Sequence, residues 1–156
     1  MREELDKKLC EDFPIITRER GLSMQQSCMH WGFECGEGWY SIIEDACRKL
    51  EVIAQRLKND GMSEDDLPAL AQVKEKFAGL RMYLHYGDVS EEVFSQLNEI
   101  TTEAETRSCH ICEVCGTVGE YRGDLGWVMT LCNEHYQSRK QEVADRWARY
   151  TVEKAD

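Results

Sequence analysis

The side chains with the clearest chemistry in this sequence are three cysteines and a histidine in the last third of the chain. Cys112 and Cys115 have two residues between them in ICEVCG, and Cys132 and His135 have two residues between them in LCNEH. Sixteen residues separate the two pairs. Soft or borderline donors in two close pairs are typical of tetrahedral zinc. The spacing therefore predicts a Zn²⁺ site formed by Cys112, Cys115, Cys132 and His135.

The neighbouring sequence indicates how each pair reaches one ion. Gly116 permits a sharp turn after the first pair. The second pair opens a predicted helix, whose electropositive N-terminus favours thiolate. Three thiolates and one neutral imidazole complete a tetrahedron and leave no position for a catalytic water. The site is therefore expected to be structural, with no catalytic or cofactor-binding residue assigned. Cys109 and His110, beside it, are interpreted as solvated neighbours.

The remaining thiols leave two hypotheses open. One is a second metal site among Cys10, Cys28, Cys35 and Cys47, although a spacing of six residues between Cys28 and Cys35 is unusual for a ligand pair. The other is an enzyme site near Cys28, His30 and Cys35, for which no third group is identifiable. Cys47 lies on an apolar helical stripe, where a free cysteine behaves as a small hydrophobe. Core packing is therefore favoured for it.

Composition places the chain among globular proteins. It has 156 residues, of which 42% are hydrophobic and 31% are charged, enough for one compact, soluble domain. No apolar run approaches the ~20 residues of a membrane span. The charged N-terminal stretch MREELDKKLC lacks the hydrophobic core of a secretion signal. The protein is expected in a cytoplasm, where disulfides are rare and clustered cysteines indicate metal binding or catalysis.

The charge balance limits the classes of partner that the protein is expected to bind. Thirty acidic and nineteen basic side chains give a net charge of −11, and neither half of the chain is basic. Residues 82–106 hold six acidic side chains and no Lys or Arg. This argues against a plain nucleic-acid binder, which neutralises phosphates with cations. It favours solubility or docking on a basic surface. A compact basic spot at Lys74, Lys76 and Arg81 is interpreted as a solvated strand face in preference to a phosphate site.

Five elements are predicted to position these residues. The longest has its apolar side chains on one helical stripe that begins at Trp39. The stretch WGFECGEGWY, which precedes it, predicts a tight packed turn. Val143, Trp147 and Tyr150 are expected to face inward from the last helix. The elements are a helix over residues 3–13, a helix over 39–59, a β-hairpin over 70–86, a helix capped by Ser90, and a helix from about Asn133. The apolar side chains of residues 70–86 also fit a helix, and the hairpin is preferred because LRMYLHY is rich in strand-favouring aromatics.

Together these elements predict an α+β fold. Helices surround a small antiparallel β-hairpin in residues 1–107. Residues 108–156 form a zinc-binding module and C-terminal helix. The order of knuckle, hairpin and helix in this module resembles a treble-clef finger. The two parts are expected to form one compact domain.

Three stretches, CMHWGFECGEGWY, QVKEKFAGLRMY and ICEVCG with its downstream LCNEH, are similar to a family of small bacteriophage and prophage proteins. The resemblance covers roughly residues 9–135. It implies an origin in a phage or mobile element, and hence a location in the host cytoplasm. It supplies no site residue with a known role.

The zinc segment also resembles the finger of DksA/TraR-type regulators, which bind RNA polymerase. Cys112, Cys115 and Cys132 match that finger, and His135 replaces its last cysteine. Those regulators carry a long coiled-coil hairpin, which the WGFECGEGW segment and the predicted β-hairpin interrupt here. HNH-type nucleases of phages also use treble clefs, but RGDLGWVMT offers Asp124 and no histidine, so nuclease activity is not expected.

Three hypotheses for function follow. The favoured one is a non-enzymatic, acidic, zinc-stabilised phage-type protein that binds and inhibits a host protein, such as a nucleic-acid-handling or defence complex. The second is a transcription regulator that acts on RNA polymerase through its zinc finger. The third is an enzyme with a site near Cys28, His30 and Cys35. No direct contact with nucleic acid or membrane is expected.

Overall fold

The computed structural model describes residues 1–153, with side chains up to Tyr150, and its fold is α+β as predicted. Short 3₁₀ turns connect several of the regular elements. The helices are α1 (Glu3–Asp12), α2 (Tyr40–Asn59), α3 (Glu91–Ser108) and α4 (Asn133–Glu153). The strands are β1 (Phe33–Glu34), β2 (Ala69–Lys76), β3 (Gly79–His85), β4 (Glu120–Arg122) and β5 (Met129–Leu131).

The central sheet has the order β1-β2-β3. The predicted hairpin is present as β2 and β3, which pair antiparallel with Ala69 opposite His85 and Lys76 opposite Gly79. The sequence did not predict β1, which lies parallel to β2 with Phe33 opposite Val73. Two residues show no alternation, so such a strand forms because of its tertiary surroundings and not because of local preference.

The turn between β2 and β3 has an unusual backbone. Phe77 and Ala78 have φ of 54° and 66°, the left-handed region that a type I′ two-residue hairpin turn requires at both central positions. Asn and Gly are the residues that normally occupy such positions. A bulky residue with positive φ is a conformational outlier. Phe77 therefore sits in a strained turn while its ring is 69% exposed.

The apolar stripe of α2 lies in the core, as predicted. Trp39, Ile43, Cys47 and Leu50 are each 0% exposed. Together with side chains from the sheet, α1 and α3, they form one continuous cluster. The start of α3 also follows the sequence, because the Ser90 hydroxyl accepts a hydrogen bond from the backbone N–H of Val93.

Side chains of α3 close the outer edge of β3. The backbone N–H of Leu80 donates to Ser108 Oγ at 2.8 Å, and that of Met82 donates to Glu105 Oε1 at 3.0 Å. An open sheet edge would otherwise present unpaired N–H groups to other chains. The helix therefore both covers the core and satisfies this edge.

The C-terminal module, residues 109–153, contains the antiparallel pair β4–β5 and helix α4. Leu131 and Leu125 form a small second core with Cys112. The prediction that Trp147 and Tyr150 face inward is wrong, because they are 63% and 48% exposed. Their spacing places them on one helical face, and residues 144–150 of α4 are all exposed, so periodicity identified the face but not its burial.

Within residues 1–153 no helix combines the length and apolar character that a membrane crossing requires.

Candidate metal centre

The four predicted ligand residues lie together. Their ligand atoms all lie within 4.8 Å of one another. The Sγ atoms of Cys115 and Cys132 are 3.9 Å apart, and Nδ1 of His135 lies 3.7 Å from Sγ of Cys112 and 3.1 Å from Sγ of Cys132. In a tetrahedral site with metal–sulfur bonds of about 2.3 Å, two sulfurs are about 3.8 Å apart. The arrangement is compatible with one tetrahedral metal ion.

A tight backbone turn holds the first ligand pair. The N–H of Gly116 donates to the carbonyl oxygen of Cys112 at 2.9 Å, and the N–H of Cys112 donates to the carbonyl oxygen of Thr117 at 2.7 Å. Gly116 has φ of +75°, which favours glycine at this position. We refer to residues 112–116 as the knuckle. It directs Cys112 and Cys115 towards the same point.

Helix α4 presents the second pair. Cys132 immediately precedes its first residue, and His135 lies in its first turn. The backbone N–H of His135 points at Cys132 Sγ, 3.5 Å away. Hydrogen bonds from the backbone and side chain of His135 lower the pKa of the Cys132 thiol to about 6. This sulfur is therefore a thiolate at neutral pH, the form that binds metal.

The other two sulfurs have different surroundings. Hydrogen bonds from the Thr117 hydroxyl and backbone lower the pKa of Cys115, whereas burial raises the pKa of Cys112. The Cys132 sulfur also raises the pKa of His135. A bound divalent cation would favour thiolate at all three sulfurs and neutral imidazole at His135. The donor set thus fits a cation that prefers sulfur and nitrogen.

The knuckle is seated on the turn between β1 and α2. The N–H of Gly38 donates to the Glu113 carbonyl oxygen at 2.8 Å, and the N–H of Gly36 donates to Glu113 Oε1 at 2.9 Å. A β-carbon on Gly38 would lie 2.1 Å from the Cys112 carbonyl oxygen. Only glycine permits this close approach. A β-carbon on Gly36 would likewise lie 2.2 Å from the Glu113 carbonyl oxygen, so the contact with the knuckle explains both glycines of CGEGW.

Further contacts join the module to the core. Trp39 Nε1 donates to the Ile111 carbonyl oxygen at 2.8 Å, and the Thr130 hydroxyl donates to the Ala78 carbonyl oxygen at 2.6 Å. Thr130 is buried, and its own carbonyl oxygen accepts from the N–H of Glu113. The geometry of the metal ligands is therefore coupled to the position of α2 and of the β2–β3 turn.

Sequence reasoning did not assign these supporting residues. The glycine-rich run in CGEGW was a visible signal, but nothing in the chain indicated that it would meet a segment more than seventy residues away. Glu113 and Thr130 carried no signal by themselves, because a single residue between or after ligands has no diagnostic spacing. The unassigned supporting residues are Gly36, Gly38, Glu113 and Thr130.

The thiols outside the module lie in varied surroundings. Cys28 is exposed in a 3₁₀ turn, Cys28–Trp31. His30 Nδ1 lies 2.9 Å from the carbonyl oxygen of Leu22, so the ring is engaged there. Cys35 is buried, and burial raises its pKa to about 12. A thiol of that pKa is a poor nucleophile at neutral pH.

Cys47 lies in the core as predicted, and burial raises its pKa. Cys10 is half-buried, with its sulfur 3.9 Å from Asp6 Oδ1. Across residues 1–150, the four predicted ligands are the one group of Cys, His, Asp and Glu side chains whose ligand atoms are close enough for a metal ion. The second site proposed among Cys10, Cys28, Cys35 and Cys47 is absent from this part of the chain.

Comparisons of the chain with protein-family models, with curated proteins and with solved structures gave no match.

Proposed function

We propose that Cys112, Cys115, Cys132 and His135 bind one Zn²⁺ ion whose role is structural. The convergence of four ligand atoms within 4.8 Å supports this most directly. Zinc prefers this mixture of sulfur and nitrogen in a tetrahedron, and four protein ligands leave no position for a reacting water. The free energy of metal binding would then stabilise the fold of the C-terminal module.

Metal analysis of the purified protein tests the zinc site. We expect one zinc per chain, and loss of zinc in Cys115→Ser. Cys28→Ser is the matched control, because it changes an exposed thiol outside the cluster and should keep the metal. Purified protein whose C-terminal module is folded and free of any bound metal would refute the assignment.

We further infer that the protein is a non-enzymatic binding protein that docks on, and inhibits, a host protein with a basic, nucleic-acid-binding surface. The observation that supports this is an acidic pole, defined as residues 60–66 and 88–92. The N–H of Asp88 donates to the carbonyl oxygen of Asp66 at 3.2 Å and so joins the two segments. Its exposed carboxylates belong to Asp60, Glu64, Asp65, Asp66, Asp88, Glu91 and Glu92.

One lysine balances this charge locally, because Lys58 pairs with Glu64 at 2.7 Å. The acidic pole therefore projects a strong negative potential, which steers association with a positive partner surface. The resemblance of the sequence to small phage proteins supports a host protein as that partner.

Capture from host lysate tests this proposal when the captured protein is identified. We expect a nucleic-acid-handling protein whose retention falls as salt rises. Glu91→Gln with Glu92→Gln should weaken capture. Glu3→Gln with Glu4→Gln is the matched control, because these residues occupy the same first-turn positions in α1. Equal capture by both double variants, or capture insensitive to salt, would contradict the docking mode.

The two alternative functions receive less support. Helices α2 and α3 are joined through the β2–β3 hairpin, and the coiled-coil hairpin of the polymerase regulators does not occur within residues 1–153. An enzyme site at Cys28, His30 and Cys35 would need these groups to act together, yet Cys28 is exposed and Cys35 is buried.

A further inference from the structure

The outward face of the β2–β3 hairpin combines cations with aromatic rings. Lys74 and Arg81 occupy directly opposite positions in the register. The Lys74 ammonium lies 5.7 Å from the centre of the Tyr83 ring, and that of Lys76 lies 5.6 Å from the centre of the Phe77 ring. We refer to these five residues as the hairpin face. Three cations gather on it in a chain whose net charge is −11.

The two lysines of the hairpin face differ from most of the other described lysines, although Lys140 is likewise without a carboxylate partner and lies over the Tyr136 ring. Lys7, Lys49 and Lys58 each have a carboxylate oxygen within 4.0 Å. Neither Lys74 nor Lys76 has one among the described residues. Like charges directly opposite each other, such as Lys74 and Arg81, destabilise a sheet. Arg81 is paired with Glu105 at 3.9 Å, and Glu34 is the neighbour of Lys74 on β1, so the two lysines are the cations of this face without a carboxylate within 4.0 Å among the described residues.

The turn residue Phe77 is also unfavourable for folding. Its φ of 54° costs free energy that Gly or Asn would avoid, and its ring is 69% exposed. Tyr83, on the same face, is 40% exposed. Strained residues of this kind often occur where a ligand is bound.

We propose that the hairpin face binds a short segment of single-stranded nucleic acid. Lys74 and Lys76 project from the same side of β2 about 7 Å apart, a separation that suits successive phosphates of an extended strand. Tyr83 and Phe77 offer ring faces on which bases can stack, as in other proteins that bind single strands without sequence preference. An acidic peptide would use the cations but has no bases to stack on the rings.

The acidic pole does not prevent such binding. It lies beside Ala69 and His85, at the end of the hairpin opposite Phe77. Lys74, the nearer of the two lysines, lies five residues along β2 from Ala69, about 16 Å away. This distance exceeds the Debye length of about 8 Å at physiological ionic strength. The whole-chain charge excludes a broad nucleic-acid surface but leaves this local one possible for a few nucleotides.

Fluorescence anisotropy with a labelled ten-nucleotide oligo-dT tests the proposal. A matched abasic oligonucleotide carries the same phosphates without bases, and oligo-glutamate supplies charge alone. We expect oligo-dT to bind most tightly. A plot of log affinity against log salt should have a slope between about −1.4 and −2, for two to three phosphates. Tyr83→Leu should weaken oligo-dT roughly tenfold and leave the abasic strand unchanged.

Two sets of variants separate charge from folding. Lys74→Gln with Lys76→Gln should weaken oligo-dT binding at least tenfold. Lys7→Gln with Lys8→Gln removes the same charge from α1 and should have little effect. Phe77→Gly should weaken binding while raising the melting temperature by about 2–4 °C, because it relieves the turn. A merely structural role for Phe77 would move stability and binding in the same direction.

Several results would overturn the proposal. They are the absence of oligo-dT binding at low salt, equal affinity for the abasic strand, equal affinity for oligo-glutamate, and an equal loss in the α1 control. The last two would indicate an acidic protein ligand and a non-specific charge effect, respectively. None of these measurements depends on the partner of the acidic pole, so the two proposals fail separately.

Discussion

At the scale of single residues, the tightest constraint on the metal centre lies between Gly38 and the knuckle. Besides the Cys112 carbonyl oxygen, the N atom of Gly116 would lie only 2.5 Å from a β-carbon on Gly38. Both neighbours are backbone atoms of the turn that carries Cys112, so they cannot rotate away. Any side chain at Gly38 must shift the backbone of the knuckle that carries Cys112.

We expect Gly38→Ala to destabilise the protein by about 3 kcal/mol, the upper range for overpacking. For a chain of this size that corresponds to a fall in melting temperature of about 6–12 °C. Thermal unfolding and a zinc-competition assay measure the two effects. Gly21→Ala is the control, because no atom lies within 4 Å of its added β-carbon. If Gly38→Ala left stability and zinc affinity unchanged, the close packing of the knuckle against Gly38 would be contradicted.

Glu113 is a second residue whose effect on stability can be measured. It is 8% exposed, its Oε2 has no hydrogen-bond partner, and burial raises its pKa above the ordinary 4.5. The native state therefore keeps this proton at pH values where the unfolded chain has lost it. By linkage, the stability that the protonated Glu113 carboxyl contributes is fully present below pH 4.5. It is lost as pH rises through the native pKa.

We expect Glu113→Gln to remove this loss. The melting temperature of the variant, minus that of the wild type, should increase as pH rises above 4.5 and then become constant. Differential scanning calorimetry at matched pH gives this difference, and metal analysis of both proteins at each pH separates it from metal release. A difference that does not change with pH would show that Glu113 is not perturbed.

The ligand set could be predicted from sequence because its information is local. Two residues between paired ligands, a glycine after the first pair and a helix after the second are all visible within twenty-five residues of chain. The supports of that site were not predictable, since Gly38 and Glu113 meet only after the chain has folded. The exposure of Cys28 and the burial of Cys35 could not be predicted for the same reason, because both depend on tertiary contacts.

At the scale of elements, the contact between α3 and β3 depends on a buried hydroxyl. Ser108 is 0% exposed, accepts from the N–H of Leu80 and donates to the Glu105 carbonyl oxygen at 2.6 Å. Its removal would leave the buried N–H of Leu80 without a partner.

We expect Ser108→Ala to destabilise the protein by about 1–3 kcal/mol, the cost of an unsatisfied buried polar group. Urea unfolding measures the change. Ser95→Ala, on the exposed side of the same helix, should be neutral or slightly stabilising because alanine favours helix. Equal effects of the two substitutions would show that the edge of β3 does not depend on Ser108.

Some elements are determined by their local sequence, and others depend on long-range contacts. Helix α2 and the β2–β3 hairpin were predicted because apolar periodicity and turn residues act within one segment. Strand β1 was missed because its two residues pair with β2 only through long-range contact. Val143, Trp147 and Tyr150 were correctly grouped on α4, but periodicity identifies a face without identifying what covers it.

At the scale of the whole molecule, residues 1–107 and the C-terminal module differ in what stabilises them. Residues 1–107 contribute nearly all of the main apolar cluster, whereas the C-terminal module has a core of only a few side chains around Cys112. So small a core rarely supports a fold without a staple. The module should therefore depend on bound metal more than the rest of the domain does.

We expect a strong chelator to lower the melting temperature and to open the module first. Backbone amides between residues 111 and 136 should lose protection from hydrogen exchange, while those of α2 and the β2–β3 hairpin stay protected. Hydrogen exchange followed by mass spectrometry resolves these segments. Readdition of zinc should restore protection. Uniform loss across the chain would indicate a single cooperative unit instead.

The fit between Gly38 and the knuckle limits how this protein can be rearranged by engineering. A segment holding only residues 109–136 carries every ligand but leaves behind the surface against which its first pair is shaped. Transplanting the centre into another scaffold would require residues 36–39 to travel with it, although they lie far away in the chain. The portable unit is thus two discontinuous pieces.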